Sequence, residues 1–142
     1  VRDSTFEARV QVGPFAHVRS GSYLEQDVRI GSHAEVKASR LGRGTKSGHF
    51  SYLGDAEIGS NVNIGAGSVT ANFDGRDHHQ TCIGNEVSIG SGSMLIAPVM
   101  VGHKSSTGAG AVVTKDVPEN SIAKGVPAKS EPNDPSIDKE GG

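Results

Sequence analysis

The 142-residue sequence has no tryptophan, and its six aromatic residues are two tyrosines and four phenylalanines. A core without large rings has to be filled by Val, Ile, Leu, Ala and Ser in many thin layers. That argues against a helical bundle and against a sandwich with aromatic corners. Cys82 is the only cysteine, so no disulfide forms within the chain, and a reducing compartment fits. The longest apolar run covers only the eight residues 94–101 and is broken by Pro98, too short for a membrane span. A basic excess is missing as well, with 14 Lys and Arg against 16 Asp and Glu. Residues 130–142 carry a net −3 of the total −2, which leaves +1 for the rest and no nucleic-acid surface. The chain starts at Val1 with no apolar leader and reads as a cytosolic protein or a fragment of one.

Glycine is abundant, 20 residues in all, and it recurs within a repeat. Stepping by six from Val12 meets Val18, Leu24, Ile30 and Val36. A step of five reaches Leu41, followed by Ser47 and Leu53, and a second step of five reaches Ile58, followed by Ile64 and Thr70. After an interruption the frame resumes at Ile83 and continues through Ile89, Leu95, Val101, Thr107 and Val113. Fourteen of these 17 positions are Val, Ile or Leu, against roughly six at the chain's average apolar share.

Strand side chains alternate with period two, so the residue two before each of these positions also points inward. These residues are Ala16, Ser22, Val28, Ala34, Thr45, Ser51, Val62, Ser68, Val87, Ser93, Val99, Ser105 and Ala111, with Ser39 and Ala56 at the shortened steps. All are small or β-branched. Glycine follows the large residue at Gly13, Gly31, Gly42, Gly59, Gly65, Gly84, Gly90, Gly102 and Gly108. The conformational freedom of glycine suits a corner at that point. Six residues make a short strand plus a corner, and three such edges close a triangular coil. Coils stacked about 4.8 Å apart pair as parallel strands. The period therefore predicts an all-β domain over residues 1–127, a parallel β-helix of five to six coils across residues 12–113. An ordinary sandwich does not explain a strict period of six.

The frame breaks between Thr70 and Ile83. Residues 71–82 are polar and contain the turn signal Asp74-Gly75, which predicts a loop protruding from the solenoid. A loop on a rigid scaffold is a natural seat for binding. Beyond Pro127 the pattern stops, and residues 128–142, with Pro132, Pro135 and a Gly-Gly end, read as a disordered tail.

Hexads in which an aliphatic residue precedes Gly resemble the hexapeptide-repeat acyltransferases, whose fold is a left-handed parallel β-helix. The left hand is implied by the resemblance, since general crossover rules favour the right hand. Longer stretches narrow it: Val12-Gly-Pro-Phe-Ala-His-Val-Arg19, Glu35-Val-Lys37, Gly48-His-Phe-Ser-Tyr-Leu-Gly-Asp-Ala-Glu-Ile-Gly59, Asn61-Val-Asn-Ile-Gly-Ala-Gly67 and Asn72-Phe-Asp-Gly75 run in order. They look like the acetyltransferase domain of the bacterial bifunctional N-acetylglucosamine-1-phosphate uridylyltransferase/glucosamine-1-phosphate N-acetyltransferase family. The similarity covers residues 8–127. That family also has a nucleotidyltransferase domain, which these residues do not contain, so uridylyl transfer is not expected of the chain.

The resemblance implies acetyl transfer from acetyl-CoA to the 2-amino group of glucosamine 1-phosphate. The product, N-acetylglucosamine 1-phosphate, feeds UDP-N-acetylglucosamine and cell-wall precursor synthesis. Acetyl-CoA is then a co-substrate, and no metal is expected in the acetyl-transfer step. Such chemistry needs a base for the amine, a donor for the tetrahedral oxyanion, and cations or backbone amides for the phosphates. Of the six histidines, His17, His33, His49, His78, His79 and His103, the resemblance puts the base on His49. Glu35 is the carboxylate expected to orient its imidazole, with Asp55 as the alternative. For the sugar phosphate the resemblance gives Arg19 and Lys37, with Tyr52 and Asn63 as hydrogen-bonding partners of the sugar. For the acyl donor it gives Ala66, Asn72, Phe73, Ser91 and Ala109. Three positions depart from the family: Phe73 stands where Tyr is frequent, and His78 stands where the loop usually offers a Lys to the substrate. Lys124, or Lys129, replaces an Arg that would meet a CoA phosphate.

The resemblance further implies a homotrimer with its sites between neighbouring coils, in the cytoplasm, with no nucleic-acid or membrane partner. The competing readings are another amine or hydroxyl acceptor on the same fold, a zinc γ-type carbonic anhydrase, and a non-catalytic scaffold. His17, His33 and His49 are spaced by 16 but fall at different places in the hexad, and no His-x4-His pair exists. The Thr-x-Thr rows of ice-binding β-helices are missing too.

Overall fold

The computed structural model describes residues 1–135, and among them there are strands, turns and bends but no helix. The strands lie on three faces. The first face stacks Thr5–Phe6, Tyr23–Leu24, Arg40–Leu41, Ala56–Ile58, Thr81–Ile83 and Val99–Val101. The second stacks Gln11–Val12, Arg29–Ile30, Lys46–Ser47, Asn63–Ile64, Ser88–Ile89, Ser106–Thr107 and Ser121–Gly125, with Ala128–Pro132 added at the end. The third stacks His17–Val18, Glu35–Lys37, Tyr52–Gly54, Val69–Ala71, Met94–Ile96 and Val112–Val113. As far as Val112–Val113, successive strands go to successive faces, so each sheet collects every third strand in parallel register. The result is a left-handed β-helix of about seven turns.

The six-residue frame fills the interior. Of its 17 positions only Val12 is not fully buried. On the third face, for example, Val18 pairs with Val36 and Val36 with Leu53, all at most 1% exposed. Each such side chain contributes about 1.5–3 kcal/mol on leaving water. Most inward Ser and Thr hydroxyls find partners: Ser47 and Ser51 share a bond of 2.6 Å, and Thr45 donates to the Gly59 carbonyl at 2.8 Å, whereas Ser22 Oγ and Thr81 Oγ1 are buried without one among the described residues. All six aromatic side chains lie outside this core, half-buried or exposed.

The corners correct one expectation. The chain bends at a residue with positive φ, and this residue is mostly not glycine. At the corner between the second and third faces it is Phe15 (φ 63°), His33 (60°) and Phe50 (56°), and then Gly67, Gly92 and Gly110. The glycine expected to make the bend sits two residues earlier, outside the left-handed region. Its role is close stacking: a Cβ on Gly31 would lie 2.7 Å from the His49 nitrogen, and one on Gly48 2.7 Å from the Ala66 nitrogen.

Two boundaries also change. Ala71 pairs with Ile96, while Thr81 and Cys82 pair with Val99 and Met100, so the protruding loop is 72–80 and not 71–82. Ala128–Pro132 is an ordered strand, antiparallel to Ser121–Gly125, where a tail was expected. It satisfies the outer N–H and C=O groups of the last parallel strand, which would otherwise face solvent. The rest of the expected tail, residues 136–142, lies outside the described residues. No helix among the described residues is long and apolar enough to cross a membrane.

Candidate active site

The third face gathers most of the expected polar residues. His17, Glu35 and Tyr52 stand in one outward column, one per coil. Arg19 follows the first of these strands, and its Nη1 donates to Glu35 Oε1 at 3.0 Å. Lys37 ends the second strand, opposite Gly54 of the third. At the far corner Asn72 is only 6% exposed, and its Nδ2 donates to Asp55 Oδ2 at 2.8 Å and to the Tyr52 hydroxyl at 3.3 Å. Gly54 makes room for this pair, because a Cβ there would run into both Tyr52 Oη and Asn72 Nδ2. The face thus presents a guanidinium, an ammonium and a phenol side by side, two of them braced by neighbours.

His49 stands at the opposite corner, exposed, between the second and third faces. Above it in the same column come Ala66, Ser91 and Ala109, linked coil to coil through the positive-φ residues that follow them. Gly67 donates to the His49 carbonyl at 3.0 Å, Gly92 to Ala66 at 2.9 Å and Gly110 to Ser91 at 2.8 Å. This edge carries almost no side-chain bulk above His49. Below and beside it the edge carries rings: Phe15, His33 and Phe50 stack with centroids 5.0 and 5.1 Å apart, and Phe50 meets His49 edge-on at 6.1 Å.

Within the chain Glu35 does not orient His49. Its carboxylate accepts Arg19, and the alternative, Asp55, accepts Asn72. Each carboxylate has one oxygen engaged by a donor other than the imidazole. Asn63 is exposed on the second face, separated from Tyr52 by the corner. Lys124 lies at the C-terminal end of that face, opposite Lys129 in the register, and its Nζ is 3.1 Å from Glu131 Oε1.

The loop leaves the third face after Ala71 and returns to the first at Thr81. The Phe73 and His78 rings are tilted against each other with centroids 4.9 Å apart. His79 N donates to the Asn72 carbonyl at 2.7 Å, closing the loop at its base. The Asp74 carboxylate receives the Asp77 and Arg76 backbone N–H groups at 2.7 and 2.8 Å and lies 2.7 Å from His79 Nε2. The Asp77 N–H first, then the His79 ring and the Arg76 N–H, hold the Asp74 carboxyl down at about 2.

The sequence reading passed over the bracing roles of Asp55 and Gly54, the Asp74–His79 contact and the ring ladder. The ladder had a legible signal, a ring three residues after the inward position in three successive coils. Asp55 had none, because its partner arrives from an insertion 17 residues away. Among the described residues no three His, Cys, Asp or Glu side chains come together as a metal-holding group.

Comparison with known proteins agrees with this geometry. Residues 80–115 match the family model described as the hexapeptide repeat of succinyl-transferase. The bifunctional protein GlmU of Streptococcus suis is 50% identical over 125 residues, 88% of this chain and 27% of that protein. GlmU of Nitratidesulfovibrio vulgaris (strain DP4) is 53% identical over 112 residues, 79% of this chain and 25% of that protein. The chain thus spans about a quarter of the length of the curated relatives it matches. The polySia-specific acetyltransferase NeuO has the same fold, with a TM-score of 0.69 at 22% identity, covering 98% of this chain and 90% of that one. So has a hexapeptide-repeat acetyltransferase of Vibrio cholerae O1 biovar eltor solved with acetyl coenzyme A, at a TM-score of 0.62 and 22% identity over 89% and 69% of the two chains. The repeat, the solenoid it builds and the half-identity over most of its length match this chain to a hexapeptide-repeat portion of the GlmU proteins.

Proposed function

We propose that the chain transfers an acetyl group from acetyl-CoA to the 2-amino group of glucosamine 1-phosphate, yielding N-acetylglucosamine 1-phosphate for UDP-N-acetylglucosamine and cell-wall precursor synthesis. One observation carries the reading: a face bearing Arg19, Lys37 and Tyr52 lies next to an edge that is bare of bulk above an exposed imidazole and leads to lysines at its end. The likeness to GlmU proteins supports the amino-sugar phosphate, and a protein of the same fold holds acetyl coenzyme A.

In this reading the His49 imidazole takes the proton from the attacking amine. The amine nitrogen bonds to the thioester carbonyl carbon, and a backbone N–H of the alanine edge meets the oxyanion, an interaction worth about 2.7–4 kcal/mol. The C–S bond then breaks, and the leaving thiolate takes the proton from the imidazolium. Arg19, fixed by Glu35, offers its fork to the sugar phosphate, with Lys37 as a point charge beside it. Tyr52 and Asn63 meet the sugar hydroxyls, and His78 reaches it from the loop. Ala66, Ser91 and Ala109 let the pantetheine arm lie flat along the edge, Asn72 and Phe73 flank it, and Lys124 or Lys129 takes a CoA phosphate. From His49 to Ala109 is three coil spacings, about 14 Å.

The working assembly is a homotrimer in the cytoplasm. Its support is that the expected set is split on one chain: Asn63 faces away from Tyr52, and the loop projects outward. A neighbouring copy that sets its second face against this third face joins the parts.

The deciding experiment measures thiol release from acetyl-CoA with glucosamine 1-phosphate, free glucosamine, serine and galactosides, with light scattering on the same sample. Preference for glucosamine 1-phosphate by a particle of three chains is expected. Preference for another acceptor, or no transfer by a well-folded sample, overturns the reading.

A further inference from the structure

We propose that Asp74 and His79 are positioning residues whose contact is a proton-sensitive clasp, holding the Phe73–His78 ring pair of the loop ready for ligand. The proposal rests on the function above, in which this loop meets donor and acceptor.

The loop has no packing of its own to hold it. Phe73 is 56% exposed, and among residues 72–80 only Asn72 is buried. Two backbone bonds close it, His79 N to the Asn72 carbonyl at 2.7 Å and Asp74 N to the Asp77 carbonyl at 3.1 Å. The rest of its order converges on a single side chain. Asp74 gathers Arg76 N–H and Asp77 N–H on Oδ1, and the His79 ring on Oδ2 at 2.7 Å. Phe73 and His78 form an antiparallel bridge between the two ends of that clasp. Cutting it frees both rings together.

The pair also has a built-in response to protons. Three convergent donors keep Asp74 ionised throughout the working range, so the imidazole is the partner that changes charge. Protonated, His79 gives a charge-assisted bond to the carboxylate, and neutral it gives a weaker one. The loop's other charged or titratable residues are Arg76, Asp77 and His78. Below them is Asp55, already committed to Asn72 at 2.8 Å. Charge on the imidazole therefore tightens the clasp, and its loss loosens it.

Trypsin cuts after Arg76, at the tip of the loop, and reads the clasp without any substrate. Cleavage of the 142-residue chain is followed by mass spectrometry at pH 6 and pH 8 and normalised to a free peptide of residues 71–82. The wild type is expected to be cut about tenfold more slowly than the peptide at pH 8, and about threefold more slowly again at pH 6. Asp74→Ala removes both effects. Asp74→Asn keeps an acceptor for the two backbone N–H groups but not the charge, so it keeps the protection at pH 8 and loses the gain at pH 6. His79→Gln abolishes the pH difference. In the kinetic arm, Asp74→Ala raises KM about fivefold or more for at least one substrate while kcat moves less than about threefold. Equal cleavage of Asp74→Ala and wild type, or an unchanged pH ratio in His79→Gln, overturns the clasp. Absence of acetyl transfer by the wild type defeats the functional reading alone, and the protease arm still decides the clasp.

Discussion

The Arg19 guanidinium donates to the Glu35 carboxylate at 3.0 Å across adjacent coils, 16 residues apart in the sequence. The two side chains are 43% and 37% exposed, so the pair adds little to stability, of the order of 0–1 kcal/mol. Its use is to aim the guanidinium. Glu35→Gln is expected to leave the melting temperature within about 2 °C and raise KM for glucosamine 1-phosphate about five- to tenfold. Arg19→Lys, which loses the fork, should behave similarly. Steady-state kinetics with calorimetry on the same samples checks both. An unchanged KM would remove Arg19 from the phosphate site.

His49 is exposed at a corner, where its imidazole meets the Phe50 ring edge-on. His49→Ala should lower kcat by about 10²–10⁴ with the denaturation midpoint unmoved. A rate near that of the wild type would take the base away from this residue.

Leu53 is 1% exposed, directly behind the strand that presents Tyr52. Leu53→Ala should destabilise the fold by about 2–5 kcal/mol, read as a shifted urea midpoint. Gly48→Ala adds a Cβ 2.7 Å from the Ala66 nitrogen, so this substitution should spread the two coils at the edge and reduce activity as well as stability. Full activity in Gly48→Ala would show that the edge does not need its close stacking.

Asp74 is held at about 2, below its ordinary 3.8, by the Asp77 N–H, the His79 ring and the Arg76 N–H. A depressed carboxyl stabilises above its ordinary value, and that contribution is lost as pH falls through about 2. The loop should stay clasped between pH 3.8 and pH 2, where an unassisted carboxyl would already be protonated. Carbon-detected titration of the Asp74 carboxyl should give a midpoint near 2, moving upward in His79→Gln. A wild-type midpoint at the ordinary value would contradict the three-donor arrangement.

The six-residue period was enough to specify the solenoid, because each inward position has one direction and one size class. Ile64 or Leu95 has nowhere to go except inside. The period also located the loop, within one residue at its start and two at its end. It did not distinguish the two uses of glycine. The bend falls on Phe15, His33 and Phe50, whose side chains gave no hint of positive φ, while Gly31 and Gly48 answer to a neighbouring coil that the local sequence does not display. The candidate site divided in the same way. Residues named by motif, such as Arg19, Tyr52 and Asn72, are found close together, since the motif reflects the register of adjacent coils. Partnerships across coils were not legible. Glu35 is expected to serve His49, and within the chain its carboxylate accepts Arg19 from the adjacent coil, a pairing set by how the coils stack. Ala128–Pro132 was hidden for a related reason: a strand formed to cover a rim has no interior face and hence no alternation.

That final strand runs against the direction of every coil beneath it. A solenoid lengthens only if its last rung offers a same-direction row to the next. Here the rung is occupied on the second face by a reversed segment of the same polypeptide, so another molecule cannot continue the spiral there. That strand also carries Lys129, Glu131 and Pro132, two charges and a proline that deter a further strand on its open side.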